Sequence, residues 1–126
     1  MEILKQKAMK ISTKLHGIID YLVVLFLWSA PEVFQLPKIT GTFTYALGGV
    51  HLLLTCFTQF EMGLIKLIPL KIHGIIELTV TFILVALAFI LGDMEGELAR
   101  NFYLCLAMAV ILTWFISDYG REKNRD

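Results

Sequence analysis

Charged residues are scarce in this sequence, and their scarcity excludes most soluble folds. Only 17% of the 126 residues are charged and 57% are hydrophobic, whereas soluble domains average about 25% charged and 45–50% apolar residues. The 11 basic residues are balanced by 11 acidic ones, so net charge gives no general reason to bind nucleic acid. The excess of apolar residues indicates that the solvent of this chain is a lipid bilayer.

Cysteines and catalytic motifs are also few. The two cysteines, Cys56 and Cys105, fall at different depths of different apolar stretches, which predicts two free thiols and no disulfide. The sequence has no glycine-rich phosphate loop, no His-Glu-x-x-His motif and no grouping of nucleophile and base typical of a hydrolase. We therefore predict that the protein is not an enzyme and carries no resident cofactor.

Four stretches of the chain are apolar over a length that can cross a bilayer. They run from about Leu15 to Val33, Phe43 to Phe60, Ile72 to Leu91 and Asn101 to Ser117. A helix that rises about 1.5 Å per residue needs roughly 17–25 residues to cross a hydrocarbon core about 30 Å thick. Residues 22–27 form a continuous apolar run without the alternation of a membrane β-strand. The sequence predicts an all-α membrane protein, a single domain with four transmembrane helices.

Basic residues are concentrated on one side of these four stretches. Nine of the eleven lie in the N-terminal segment, the middle connection and the C-terminal tail, at Lys5, Lys7, Lys10, Lys14, Lys66, Lys71, Arg121, Lys123 and Arg125. The positive-inside rule therefore predicts that both termini and the middle connection are cytoplasmic. We expect residues 1–13 to form a basic segment at the anionic inner leaflet and residues 121–126 to form a cytoplasmic tail.

The two halves of the chain begin with nearly the same seven residues. Residues 14–20 read Lys-Leu-His-Gly-Ile-Ile-Asp, and residues 71–77 read Lys-Ile-His-Gly-Ile-Ile-Glu. This internal repeat predicts two helical hairpins, residues 14–70 and 71–120, that cross the membrane in the same sense. Equivalent residues of the two parallel repeats then lie at equal depth in a small bundle.

Two stretches resemble bacterial membrane proteins of the SPW-repeat type. They are residues 16–21, His-Gly-Ile-Ile-Asp-Tyr, and residues 58–73, which begin Thr-Gln-Phe-Glu-Met-Gly. The resemblance implies a small four-helix protein of two hairpins in a bacterial inner membrane, with no established biochemical role and no assigned functional residue. In place of the Ser-Pro-Trp motif, this chain has Ala-Pro-Glu at residues 30–32 and Leu-Ala-Phe at residues 87–89.

Each copy of the repeat places a carboxylate four residues after a histidine. Residues at this spacing share one face of a helix, and in parallel repeats the two pairs lie at the same depth. Two further carboxylates close the second and fourth predicted helices on the same side. The sequence therefore predicts a polar cluster at the cytoplasmic end of the bundle, with candidate residues His16, Asp20, His73, Glu77, Glu61 and Asp118.

Three functions remain open for such a cluster. Hydrogen bonds between the helices favour a structural or accessory membrane protein that associates with itself or with a larger complex. The same groups could instead move protons or cations in a small transporter or channel component. Histidine and carboxylate ligands also suit a divalent metal such as zinc, so a metal-binding or haem-binding membrane protein is the third alternative.

A third histidine, His51, lies near the middle of the second apolar stretch. A neutral imidazole at that depth needs a hydrogen-bond partner. We expect its partner to be a hydroxyl on a facing helix, and the alternatives are a step in a proton relay or an axial ligand of a haem. The candidate hydroxyls are those of Thr79, Thr81 and Thr113.

Overall fold

A computed structural model describes residues 11–117 of the chain, which form four α-helices. They are α1 (Thr13–Val33), α2 (Lys38–Cys56), α3 (Leu70–Glu95) and α4 (Glu97–Ile116). All four are long and apolar enough to cross a membrane. This confirms the predicted all-α fold with four candidate transmembrane helices.

The observed helices differ from the predicted stretches mainly in α2. The prediction placed this helix at about residues 43–60, whereas α2 begins at Lys38, directly after Pro37, and ends at Cys56. The helix ends there as the chain turns back on itself: the Thr58 N–H donates to the Thr55 carbonyl, three residues earlier, and the Cys56 carbonyl accepts from the Leu64 N–H. Residues 57–69 form a loop. Charged residues at helix ends, such as Lys38, were excluded from the predicted stretches but continue the helices.

Outward-facing helix surfaces are apolar. Leu25 is 60% exposed, Phe82 is 69% exposed and Phe115 is 62% exposed. Contiguous apolar surface of this kind is rare on a soluble monomer, but lipid solvates it without cost. These surfaces are therefore the ones that a bilayer would contact.

One end of the bundle, which we call the turn end, carries the two tight connections between helices. α1 packs chiefly against α2 and α3 chiefly against α4. The second pair turns at Gly96, whose φ of 107° favours glycine. The Glu95 carboxylate accepts hydrogen bonds from the backbone N–H groups of Ile39 and Thr40 at 2.8 and 2.6 Å, which caps the start of α2.

The buried core extends from this turn end to the middle of the bundle. Its members are mostly aliphatic: Leu27, Leu84, Ala88, Leu91, Ala99, Tyr103, Leu106 and Ala107. The polar group of Tyr103 is hydrogen-bonded, since its hydroxyl lies 3.0 Å from the Thr44 hydroxyl.

At the opposite end, which we call the histidine end, α1 and α3 begin and α2 and α4 finish. Two backbone hydrogen bonds of 2.7 Å join these helix ends. The Ile11 N–H donates to the Ile116 carbonyl, and the Ile68 N–H donates to the Phe57 carbonyl. Each bond links the segment before one helix to the end of another, and the polar cluster lies just inside them.

Candidate functional site

Four of the predicted side chains meet at the histidine end, two from α1 and two from α3. We call them the His/carboxylate cluster; they are His16, Asp20, His73 and Glu77. Each of the four residues is at most 5% exposed. The cluster forms because each histidine lies one helical turn from its carboxylate and the two helices present these faces to each other at one level.

Nitrogen and oxygen atoms alternate around the cluster. Nε2 of His16 lies 3.3 Å from Oε2 of Glu77 and 3.3 Å from Oδ2 of Asp20. Nε2 of His73 lies 3.1 Å from the same Glu77 oxygen and 3.2 Å from the same Asp20 oxygen. One potential ligand atom from each residue therefore faces a shared centre, and all four atoms lie within 4.8 Å of one another.

The two carboxylates of the cluster differ in their hydrogen bonding. Glu77 Oε2 lies in hydrogen-bonding geometry with Nε2 of both histidines. Asp20 Oδ2 is as close to the same nitrogens, yet within residues 11–117 it has no hydrogen-bond partner. A buried carboxylate oxygen that makes no hydrogen bond is costly and calls for an explanation, such as a bound ion.

The other ring nitrogen of each histidine contacts a hydroxyl from the opposite helix pair. His16 Nδ1 lies 2.6 Å from Ser117 Oγ, just beyond the end of α4. His73 Nδ1 lies 2.7 Å from Thr58 Oγ1, just beyond the end of α2. These contacts hold both imidazole rings with their Nε2 atoms toward the carboxylates.

An aromatic side chain closes the cluster on the side of the loop 57–69. The buried ring of Phe60 lies 6.5 Å from the His16 ring and 5.8 Å from the His73 ring, between centroids. Gly17 permits this approach, because a Cβ there would lie 2.6 Å from Met62 Cγ and 3.0 Å from the Phe60 ring. The Tyr21 hydroxyl fixes the same loop by donating to the Met62 carbonyl at 2.8 Å.

His51 also reaches the edge of the cluster, where its Nε2 lies 3.5 Å from Asp20 Oδ1. Beyond this contact, His51, Asp20 and Glu77 line a cavity of about 50 Å³. The predicted threonine partners are wrong, because His51 Nε2 has no hydrogen-bond partner within residues 11–117, and the three hydroxyls donate to backbone carbonyls of their own helices. These bonds are Thr79 to Ile75, Thr81 to Glu77 and Thr113 to Ala109.

The last two predicted site residues are not part of this arrangement. Glu61 lies in the loop 57–69, where its carboxylate accepts a hydrogen bond of 2.6 Å from the Thr13 hydroxyl. That bond lowers the pKa of Glu61 below its usual value. Asp118 lies outside the described residues.

Sequence reasoning missed Thr58, Ser117 and Phe60. A signal for the two hydroxyls exists, since each lies within two residues of the end of the final helix in its half of the chain. Nothing in the local sequence indicates that each would contact the histidine of the other half.

Two imidazole nitrogens and two carboxylate oxygens form a donor set that binds divalent first-row transition metals in proteins. No family model matches this chain, and neither a curated protein nor a solved structure matches it. Function must therefore be inferred from the geometry of the cluster.

Proposed function

We propose that this protein is an integral membrane protein that binds one divalent transition-metal ion in the His/carboxylate cluster. The four nitrogen-to-oxygen separations around the cluster are 3.1, 3.2, 3.3 and 3.3 Å. An ion with ligand bonds of about 2.0–2.1 Å in a tetrahedral site separates neighbouring ligand atoms by roughly 3.3 Å. The four nitrogen-to-oxygen separations therefore match the spacing of neighbouring ligand atoms in a first coordination shell.

The Asp20 oxygen that lies close to both Nε2 atoms without a hydrogen bond carries this proposal. Protons on both Nε2 atoms would satisfy Glu77 Oε2, but Asp20 Oδ2 would still lie outside hydrogen-bonding geometry. A cation at the centre faces all four atoms and needs no such alignment. Two carboxylates and two neutral imidazoles around a divalent ion also give a site without net charge, as burial in a membrane requires.

The contacts of the cluster also support the proposed repeat of two hairpins. His16 and His73 occupy equivalent positions of the repeat and make equivalent contacts with Ser117 and Thr58. In this arrangement each hairpin supplies half of the ligands, so the ion joins the two halves. With both termini and the middle connection in the cytoplasm of a bacterium, as the distribution of basic residues predicts, the site lies near the cytoplasmic face of the inner membrane.

A resident ion agrees better with the bundle than a translocated one. On the turn-end side of the cluster, Leu27 and Leu84 are 2% and 1% exposed and belong to the continuous apolar core. Such a core offers little to bind an ion that leaves the cluster in that direction, since its Tyr103 hydroxyl is already bonded to Thr44. In this specific form of the structural or accessory role, a bound metal holds the hairpins together.

Metal titration of the purified protein tests this function. The detergent-solubilised chain is stripped with a chelator and titrated with Zn²⁺, then with Mn²⁺ and Co²⁺, by calorimetry and metal analysis. We expect one ion per chain. Asp20→Asn and Glu77→Gln should each weaken binding more than about 100-fold, because loss of an outer-shell group alone costs about 10–100-fold.

Glu61→Gln is the matched control, since it removes a carboxylate of the same end of the molecule that lies outside the cluster. It should bind the ion as tightly as the unmodified chain. Equal binding by the Asp20 variant, or no binding by the unmodified chain, contradicts the proposal. In the second case the cluster is a set of hydrogen bonds between helices, and the Asp20 and Glu77 variants change only stability.

A further inference from the structure

The hydroxyls of Thr58 and Ser117 both have their proton committed to a backbone carbonyl. The Thr58 hydroxyl donates to the Leu54 carbonyl at 2.6 Å, and the Ser117 hydroxyl donates to the Thr113 carbonyl at 2.5 Å. A hydroxyl has one proton and can otherwise only accept. The hydrogen bonds of 2.7 and 2.6 Å to His73 and His16 must therefore be donated by the imidazole Nδ1 atoms.

This assignment places a proton on Nδ1 of both rings. An imidazole with its proton on Nδ1 presents a lone pair at Nε2 when it is neutral. In both histidines Nε2 is the atom that faces the carboxylates. The hydroxyls therefore select the tautomer in which a metal ion can bind at the centre of the cluster.

We propose that Thr58 and Ser117 are positioning residues of the metal site, each fixing the histidine ligand that the other hairpin supplies. This inference rests on the proposed function. Outer-shell groups of this kind orient a metal-binding imidazole and raise its basicity. Because the two contacts are crossed, neither hairpin holds its own histidine in the binding orientation.

Backbone contacts keep the two hydroxyls in place. The Ile116 carbonyl, one residue before Ser117, accepts from the Ile11 N–H, and the Phe57 carbonyl, one residue before Thr58, accepts from the Ile68 N–H. Each positioning hydroxyl is thus fixed next to the chain segment that leads into the helix of its histidine. Binding of the ion and assembly of the two hairpins are therefore coupled.

Substitutions of the hydroxyls test the inference through metal affinity. Thr58→Val and Ser117→Ala each remove the acceptor, and we expect Zn²⁺ binding to weaken about 10–100-fold. Thr58→Ser and Ser117→Thr keep the hydroxyl and should restore affinity. Thr79→Val is the matched control, because the Thr79 hydroxyl also donates to the carbonyl four residues earlier but does so on an exposed surface.

Nitrogen NMR of the histidine rings gives a second measurement that does not depend on metal binding. In the metal-free protein we expect a proton on Nδ1 of both His16 and His73, and Thr58→Val should remove that preference at His73 alone. A lone pair on Nδ1 of either ring in the unmodified protein overturns the inference.

The two measurements separate this inference from the proposed function. If the unmodified chain binds Zn²⁺ and the hydroxyl variants bind equally well, only the positioning role is wrong. If the unmodified chain binds no metal, the proposed function is wrong and the positioning role at a metal site falls with it, even where Nδ1 carries its proton.

Discussion

The two ends of the bundle solve the same problem of burying polar groups in different ways. At the turn end, the Glu95 carboxylate caps α2 through two backbone N–H groups and the Thr40 hydroxyl. The Tyr103 hydroxyl is likewise bonded to Thr44. At the histidine end, two carboxylates meet three imidazoles, and Asp20 Oδ2 and His51 Nε2 have no hydrogen-bond partner within the described residues.

This difference indicates which end is built for stability and which for binding. Polar groups at the turn end are satisfied by the protein itself, so that end is complete without a ligand. At the histidine end, the protein holds four donor atoms close together and leaves three buried polar atoms of the described residues without a hydrogen bond, Asp20 Oδ2, His51 Nε2 and Thr55 Oγ1. A bound cation would satisfy the first of these. The two ends should therefore respond differently to substitution.

Among substitutions that leave the histidine end intact, Leu84→Ala is expected to reduce stability most. Leu84 is 1% exposed in the apolar core, and its truncation leaves a cavity. We expect the free energy of unfolding in mixed micelles to fall by about 2–3 kcal/mol, in the lower part of the range for buried leucines, because lipid solvates the unfolded reference state. Zn²⁺ affinity should not change.

Leu25→Ala is the matched control for this prediction, since Leu25 is 60% exposed on the outward-facing apolar surface of α1. It should change stability little. A Leu84→Ala protein with weakened Zn²⁺ binding would show that the two ends are coupled through the core and would remove the distinction drawn between them.

Substitutions of two glycines, Gly17 and Gly49, are expected to have the next largest effects on stability. At Gly17 a Cβ would lie 2.6 Å from Met62 Cγ, whereas at Gly49 nothing lies within 4 Å of it. Gly17→Ala should destabilise the protein by about 1–2 kcal/mol, the lower part of the range for overpacking. Gly49→Ala should stabilise it by up to about 1 kcal/mol, because alanine is the better helix former.

The same pair also tests how the site is closed. Displacement of Met62 by Gly17→Ala moves the loop that holds Phe60 against the histidines, so Zn²⁺ should dissociate faster in stopped-flow chelator exchange. Gly49→Ala should leave that rate unchanged. Equal rates in both variants would mean that the loop 57–69 does not control access to the cluster.

The sequence is a good guide to the cluster because spacing alone determines it. Histidine and carboxylate four residues apart share a helix face, and the repeat places two such faces at one level, so His16, Asp20, His73 and Glu77 could be predicted together. Contacts that depend on where a helix ends could not be predicted from the sequence. α2 ends at Cys56, which puts His51 only about 7.5 Å along the axis from the end of its helix and beside Asp20.

Hydrogen bonds between the two halves are the other part that the sequence does not determine. Thr58 belongs to the hairpin of His16 but contacts His73. Ser117 belongs to the hairpin of His73 but contacts His16. Such pairing depends on how the hairpins dock, and apolar periodicity sets which face is buried without setting which hydroxyl meets which ring.

The smallest expected effect concerns Glu61, whose position decides whether the cluster extends into the loop. Its pKa is lowered chiefly by the hydrogen bond from Thr13, so this contact stabilises the folded protein above the pKa of Glu61 in the unfolded chain. That contribution is lost as the pH falls through the lower folded value. Glu61→Gln should therefore reduce stability slightly near neutral pH, and the difference from the unmodified chain should vanish in acid unfolding curves.

Thr13→Val should remove the same pH-dependent contribution, since it deletes the donor of that bond. Weaker Zn²⁺ binding by Glu61→Gln would instead place this carboxylate within reach of the ion and make the loop part of the site.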